Sequence, residues 1–347
     1  MKTKPLKVAV VGCGYWGPNL IRVFSQLPYV SVTIACDLKT ERLTRMKSIY
    51  PFIQTTQEFV DVVKSDVDAV IIATSFKTHF QLALDALNAK KHVLIEKPFV
   101  QKASQAQTLI ALAKKQKKVL MIDNTFEYTA AVNYIKQMYR AGKLGDIYTI
   151  DMIRVNLGLF QNDINVVWDL AYHDLSIINY IFNMLPQDVI CVGQGFIQKN
   201  IVDTAHLLLH YPNTMLVSIH VSWLEPKKIR QVTIVGSKKM LVYDDLESTD
   251  KIKTFDKGVT YKTMETIRPD FFETYDEFSY LYRSGDVHIP RLDQEEPLLT
   301  MAKHFINSLS KKKSPRSDGD SARRSIQILS AAQQSLQSGR WETINYD

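Results

Sequence analysis

The segment KKHVLIEKPF sets Glu96 and Lys97 directly after Val93, Leu94 and Ile95, with Pro98 closing the run. Three apolar residues in a row suit a strand buried on both faces of a parallel sheet, and the carboxyl end of such a strand opens into the crevice where ligands sit. That placement makes Lys97 a candidate to face a bound molecule. A second candidate pair is Asp169 and His173 in VVWDLAYHDLSIINYI. Leu170, Ile177, Ile178 and Ile181 suggest a helix, on which residues four apart share one face. A carboxylate beside an imidazole raises its pKa and fixes its orientation, the usual arrangement for a general base. A base with a cation or donor beside it can take a hydroxyl proton and hold the developing oxyanion. Lys97 suits either part.

A third feature lies near the amino terminus. VAVVGCGYWGPNL carries Gly12, Gly14 and Gly17 in a G-x-G-x-x-G spacing, after a predicted strand and before a predicted helix. The first glycine permits the tight turn, the second lets a pyrophosphate approach the backbone, and the third lets helix pack on strand. The helix N-terminus adds free N–H groups and a positive dipole end. Asp37 ends the second predicted strand, near the spacing expected of the acid that bonds the adenosine ribose. An acid there repels a 2′-phosphate, so NAD is expected, while Lys39 and Arg42 keep NADP open.

These residues need elements to position them. Strand signals at Val8–Val11, Ser31–Cys36, Asp68–Ala73, Val93–Glu96 and Val119–Ile122 alternate with helix signals at Asn19–Gln26, Thr40–Ser48, Thr78–Ala89 and Ser104–Lys115, the last with Ser104 as N-cap. Strand–helix alternation of this kind predicts a doubly wound parallel sheet. After Asn124 the rhythm changes. A helix over Ala131–Arg140 ends at Gly142, and longer alternating segments follow, such as TAHLLLHY and TMLVSIHVSW. They predict a large, mainly antiparallel open sheet with one face covered. Helices around Glu295–Ser310 and Ser321–Ser338 come last, and Lys311–Gly319 reads as the most disorder-prone loop. The expected fold class is α/β: a Rossmann domain over 1–124, then an α/β substrate-binding and oligomerisation domain over 125–347.

Composition bounds the function. The chain has 347 residues, 46% hydrophobic and 23% charged, an ordinary globular balance for two domains. No apolar run is long enough to span a bilayer, and the amino terminus has no signal-peptide pattern. Cys13, Cys36 and Cys191 are odd in number and scattered, which predicts reduced buried thiols and a cytoplasmic setting. No Cys or His spacing suggests a metal. The net charge of +7 is concentrated in patches at Lys114–Lys118 and Lys311–Arg316. Without aromatic interleaving these read as solvated surface, not as a nucleic-acid site, although the field would attract an anionic small substrate.

The glycine loop, ATSFKTHFQLALDALNAKKHVLIEKPF and WDLAYHDLSI together resemble the Gfo/Idh/MocA family of NAD(P)-dependent sugar oxidoreductases, over essentially the whole chain. The resemblance implies that Lys97 lies beside the nicotinamide and the substrate hydroxyl, that His173 is the acid/base, and that Asp169 supports it. It also implies cofactor contacts from Thr74, Ser75, His79 and Glu96, and Tyr15, Trp16 and Asn124 are expected beside them. Pro98 then fixes the chain that presents Lys97. Tyr128, Arg154, Asn156 and Trp168 flank the expected site and are candidate contacts for the sugar or its phosphates. Two stretches depart from the family pattern: Val166-Val167-Trp168 stands where a glycine cluster is common, and Asp123 to Ala130 replaces a Gly-His-x-x-Arg-Phe-x-Pro pattern. VGCGYWGPNL and VVWDLAYHDLSI look most like the branch acting on nucleotide-linked sugars. The expected reaction is hydride transfer between NAD(H) and a ring hydroxyl, C3 above all, of a nucleotide sugar such as a UDP-N-acetyl-hexosamine. The alternatives are an NADPH-dependent 3-ketoreductase of deoxysugars and a dinucleotide-sensing regulator without catalysis. A homodimer or homotetramer is expected.

Overall fold

The computed structural model describes residues 5–261, 280–311 and 313–347. Its first part runs β1 (Leu6–Val11), α1 (Gly17–Ser25), β2 (Val30–Cys36), α2 (Thr40–Ile49), β3 (Gln54–Thr56), α3 (Phe59–Lys64), β4 (Ala69–Ile72), α4 (His79–Asn88), β5 (His92–Glu96), α5 (Ala103–Gln116) and β6 (Leu120–Asp123). The strands form one parallel sheet in the order β3-β2-β1-β4-β5-β6. β4 and β6 are buried at every position because helices cover both faces, which is why they consist of apolar runs without alternation. The order reverses between β1 and β4, and a doubly wound sheet binds its ligand at such a switch point.

Two short elements, β3 and α3, lie in a stretch where sequence periodicity signals nothing. β3 has three residues, two of them exposed, so no apolar pattern marks it. Ser104 is not an N-cap: α5 begins at Ala103, and the Gln105 side chain accepts the Lys102 backbone N–H at 3.2 Å.

The second part holds α6 (Ala130–Arg140), β7 (Ile147–Val155), α7 (Tyr172–Phe182), β8 (Asp188–Gln194), β9 (Thr204–His210), β10 (Leu216–Ser222), β11 (Ile229–Gly236), β12 (Met240–Asp244), β13 (Ile252–Phe255), β14 (Gly258–Tyr261), β15 (Tyr280–Arg283), β16 (Val287–His288), α8 (Pro297–Lys311), α9 (Gly319–Ser338) and β17 (Glu342–Thr343). Nine strands form a mixed sheet, β16-β13-β12-β11-β7-β10-β9-β8-β17, in which β7–β10 is the parallel pair, while β14 and β15 pair separately. Inward residues such as Val189, Leu207, Val217 and Ile219 are buried in one core with Tyr172, Leu175 and Ile326 of the covering helices. Their neighbours Val192 and Leu208 point outward and are exposed.

The segment 125–347 does not close on itself. α8 packs on α1 and the first sheet, burying Leu298, Met301 and Phe305 against Val8, Ile21 and Phe24. Each such side chain contributes about 1.5–3 kcal/mol. The half-exposed Arg22–Glu296 ion pair beside them is worth about 0–1 kcal/mol, so apolar burial holds this contact. The loop expected to be disorder-prone is also docked after residue 312, which lies outside the described residues. Ser317 is buried, its Oγ donates to the Ile122 carbonyl at 2.7 Å, and Ile122 N–H donates back to its carbonyl at 2.8 Å. The edge strand β6 is thereby covered.

Candidate active site

The dinucleotide end is built from backbone. Gly12 follows β1 with φ +91°, and a Cβ there would stand 2.4 Å from the Ala73 carbonyl oxygen. Glycine alone satisfies both conditions. A Cβ on Gly17 would stand 1.9 Å from the Gly12 carbonyl oxygen, so helix and strand touch at this point. At Gly14 a Cβ would meet only the Arg42 guanidinium, at 3.5 Å, which leaves the backbone open to a phosphate. α1 starts without a side-chain cap, so its first N–H groups are available to an anion. Gly12, Gly14, Tyr15 and Trp16 line a cleft of about 870 Å³. Asp37 lines it too, accepting the N–H of Cys13 at 2.7 Å, that of Lys39 at 2.8 Å and Arg42 Nη1 at 3.2 Å. An open glycine backbone, a free helix N-terminus and a carboxylate in one cleft fit the pyrophosphate and ribose of a dinucleotide.

Further along the cleft come Thr74, Ser75, His79 and Lys97. His79 is almost wholly buried, with Nδ1 3.0 Å from the Pro98 carbonyl and Nε2 3.2 Å from the Thr74 carbonyl. It ties the end of β4 to the end of β5. Burial lowers its pKa, and a neutral ring, with one N–H, donates to one of these carbonyls at a time.

At the reacting end, Lys97 Nζ donates to the Asp169 carboxylate at 2.8 Å and to the Asp169 carbonyl at 3.1 Å. The other Asp169 oxygen accepts Trp223 Nε1 at 3.2 Å. The segment Val167–Ala171 is a π-helical turn that runs into α7, and such wide turns recur at functional sites. His173 lies one turn on, its ring 5.0 Å from that of Phe126. Lys97 reaches Asp169 from another part of the chain, and its charge acts on the His173 imidazole one turn further along. Their partnership with Asp169 differs from expectation. The carboxylate is taken by Lys97 and Trp223, and His173 is pushed well below its ordinary pKa, not raised. Burial is the main cause, followed by the charges of Lys97, Arg154 and Arg230. A neutral imidazole beside a fixed ammonium is equipped to accept a proton while the ammonium holds the oxygen.

Glu96 and Asn124 lie beneath this surface instead of on it. Glu96 stands opposite Asp123 in the β5–β6 register, and burial together with their mutual repulsion keeps a proton on the pair. Glu96 also accepts the Lys97 N–H at 3.0 Å, which braces the turn that presents Lys97. Asn124 accepts the Tyr172 hydroxyl at 3.1 Å and donates to Glu127 at 2.7 Å.

The four expected substrate contacts scatter. Tyr128 is buried in the core that includes Leu94 and Met301, its hydroxyl 3.2 Å from Ser317 Oγ; it is a packing residue here. Arg154 is buried behind His173, bound through Nε and Nη2 to Asp174 at 3.0 and 2.7 Å. Asn156 is half-buried beside Trp223. Trp168 borders a smaller pocket next to the cleft, its ring 5.7 Å from that of Phe76, which lines both. Trp223, Phe126, Phe76 and Arg230 went unnoticed as site residues. Each is a single aromatic or cation whose role depends on which partner packs against it, and no spacing marks it.

Two family descriptions match the chain: "oxidoreductase family, NAD-binding Rossmann fold" over residues 6–124, and "GFO/IDH/MocA C-terminal domain" over residues 132–242. A UDP-N-acetylglucosamine 3-dehydrogenase of Acidithiobacillus ferrooxidans is 27% identical, over 70% of this chain and 75% of that protein. A myo-inositol 2-dehydrogenase of Thermotoga maritima is 23% identical, over 81% and 89%. The crystal structure of GenD2 from gentamicin A biosynthesis in complex with NAD superposes with a TM-score of 0.82 at 19% identity, covering 99% of this chain and 98% of that one.

Proposed function

Since this chain belongs to the Gfo/Idh/MocA family of NAD-binding oxidoreductases, we propose that it transfers a hydride between NAD(H) and a ring hydroxyl, C3 in particular, of a nucleotide-activated sugar. The observation that carries the reading is the Lys97–Asp169 contact at 2.8 Å, with the neutral His173 one turn further along the helix. NAD, when bound, supplies the hydride acceptor. His173 takes the hydroxyl proton, and Lys97, steered by Asp169 and Trp223, holds the oxygen as negative charge develops. In the reverse direction His173 returns the proton.

The substrate class is supported by the resemblance of VGCGYWGPNL and VVWDLAYHDLSI to the nucleotide-sugar branch, and by the relative that acts on UDP-N-acetylglucosamine. We further propose a homodimer or homotetramer formed through the outward face of the nine-stranded sheet, where Val192 and Leu208 are exposed. Substrate class is decided by NADH formation on UDP-N-acetylglucosamine, free N-acetylglucosamine and myo-inositol. Turnover of the nucleotide sugar well above the other two is expected. Preference for myo-inositol would replace the nucleotide sugar with a free polyol.

A further inference from the structure

Two arginines stand side by side next to His173 and are used differently. Arg154 on β7 and Arg230 on β11 are register partners, with guanidinium carbons 4.5 and 6.0 Å from the Phe126 ring centre. That ring meets His173 at 5.0 Å. Arg154 is buried, and Asp174 accepts two of its N–H groups. The side chain of Arg230 is 31% exposed, and among the described residues its one acceptor is Asp245 Oδ2, 3.4 Å from Nη1. The Asp245 carboxylate is shared with the Tyr243 hydroxyl at 2.8 Å and Lys251 Nζ at 4.0 Å. Arg230 Nε is buried without an acceptor.

A guanidinium stays charged and offers five donors in a planar fork that matches a carboxylate or phosphate. On Arg230 most of that fork is unused, and it stands by the Phe126 ring that meets His173. We propose that Arg230 binds an oxyanion carried by the substrate, a carboxylate or a phosphate, and thereby selects which hydroxyl reaches His173. The inference rests on the nucleotide-sugar reading and adds to it the group that the enzyme grips. Asp245 holds the guanidinium through one long contact, which a bidentate oxyanion replaces.

The test compares the unaltered enzyme with Arg230→Gln and Arg230→Lys, each with NAD. The substrates are UDP-N-acetylglucosamine, its counterpart with a carboxylate at C6, and neutral N-acetylglucosamine. Arg230→Gln is expected to lose about 10- to 100-fold in kcat/KM on the anionic substrates, mainly through KM, with NAD affinity retained and partial recovery in Arg230→Lys. A loss confined to the C6 acid assigns the carboxylate, and equal losses on both nucleotide sugars assign a phosphate. No loss on any substrate, or an equal loss on the neutral sugar, overturns the proposal. If the unaltered enzyme ignores nucleotide sugars, the nucleotide-sugar reading fails, and calorimetry of glucuronate binding to the NADH-bound protein decides Arg230 separately. Binding lost in Arg230→Gln upholds the oxyanion site, whereas binding unchanged by the substitution, or absent from the unaltered protein, overturns it.

Discussion

At the glycine-loop end of the cleft the chain presents mostly main chain: the backbone of Gly12 and Gly14, the first N–H groups of α1, and an Asp37 carboxylate that two backbone N–H groups hold. At the reacting end the working groups are side chains from separate elements. Lys97 comes from the end of β5, Asp169 and His173 from the π turn and α7, and Trp223 from just beyond β10. The first end is set by local conformation. The second exists only when the two sheets and their helices are packed together. Cofactor binding and chemistry should therefore be separable by substitution.

The largest effect is expected at the reacting end. Lys97→Ala and His173→Ala should each lower kcat by about 10²–10⁴-fold, with NAD affinity measured by titration nearly unchanged. Near-normal turnover in His173→Ala would refute its role as base. The pH profile sharpens the point. His173 sits well below its ordinary value of 6.5, so the neutral base persists as pH falls. For alcohol oxidation, kcat/KM should stay level through neutrality and break below 6.5. A break above that value contradicts the burial argument.

The next effect belongs to the glycine-loop end. Asp37→Ser should weaken NAD by about 10-fold and improve NADP, because a charge-assisted contact to the ribose and a repulsion of the 2′-phosphate are both removed. At saturating NAD its kcat should match that of the unaltered enzyme. A fall in kcat as large as that of Lys97→Ala would show that the two ends are not separable, and tighter NADP than NAD binding by the unaltered protein would sink the ribose assignment.

The smallest effect on turnover lies in a buried layer where Asn124 joins Glu127 to Tyr172. Burial pushes the Glu127 carboxyl up to about 8, from an ordinary 4.5. Its proton is held more tightly in the folded than in the unfolded state, so its contribution to stability falls as pH rises from about 4.5 through about 8. Glu127→Gln removes that loss. In denaturant unfolding the variant should therefore gain stability over the unaltered protein on going from near pH 5 to near pH 9. An unchanged difference between those two pH values would place a solvated carboxylate there.

Sequence alone was a good guide to the parts with short-range causes. β1, β4 and β5 are visible as apolar runs because both faces of each are covered, and the glycine spacing is visible because Gly12 and Gly17 each answer a local steric demand. It misled where a residue's role depends on which way it faces. Tyr128 lies close in sequence to Asn124 yet turns into the core against Met301, since the 3₁₀ turn over Thr125–Tyr128 carries it away from the cleft. Arg154 looked like a substrate cation, but α7 delivers Asp174 to it and neutralises it in the interior.

By itself the sequence determined the strand–helix order, the glycine loop with its acid, and which ionisable side chains were available for chemistry. Most of these depend on residues within a turn or a strand of one another, and Asp37 is marked by its place at the end of the next strand. Tertiary packing alone decided that Asp169 serves Lys97 and Trp223 instead of His173. The same packing left Arg230 with an unfilled guanidinium while Arg154, its strand neighbour, was paired. Charge pairing inside a protein follows distance and burial across elements far apart in the chain, and no local spacing encodes those distances.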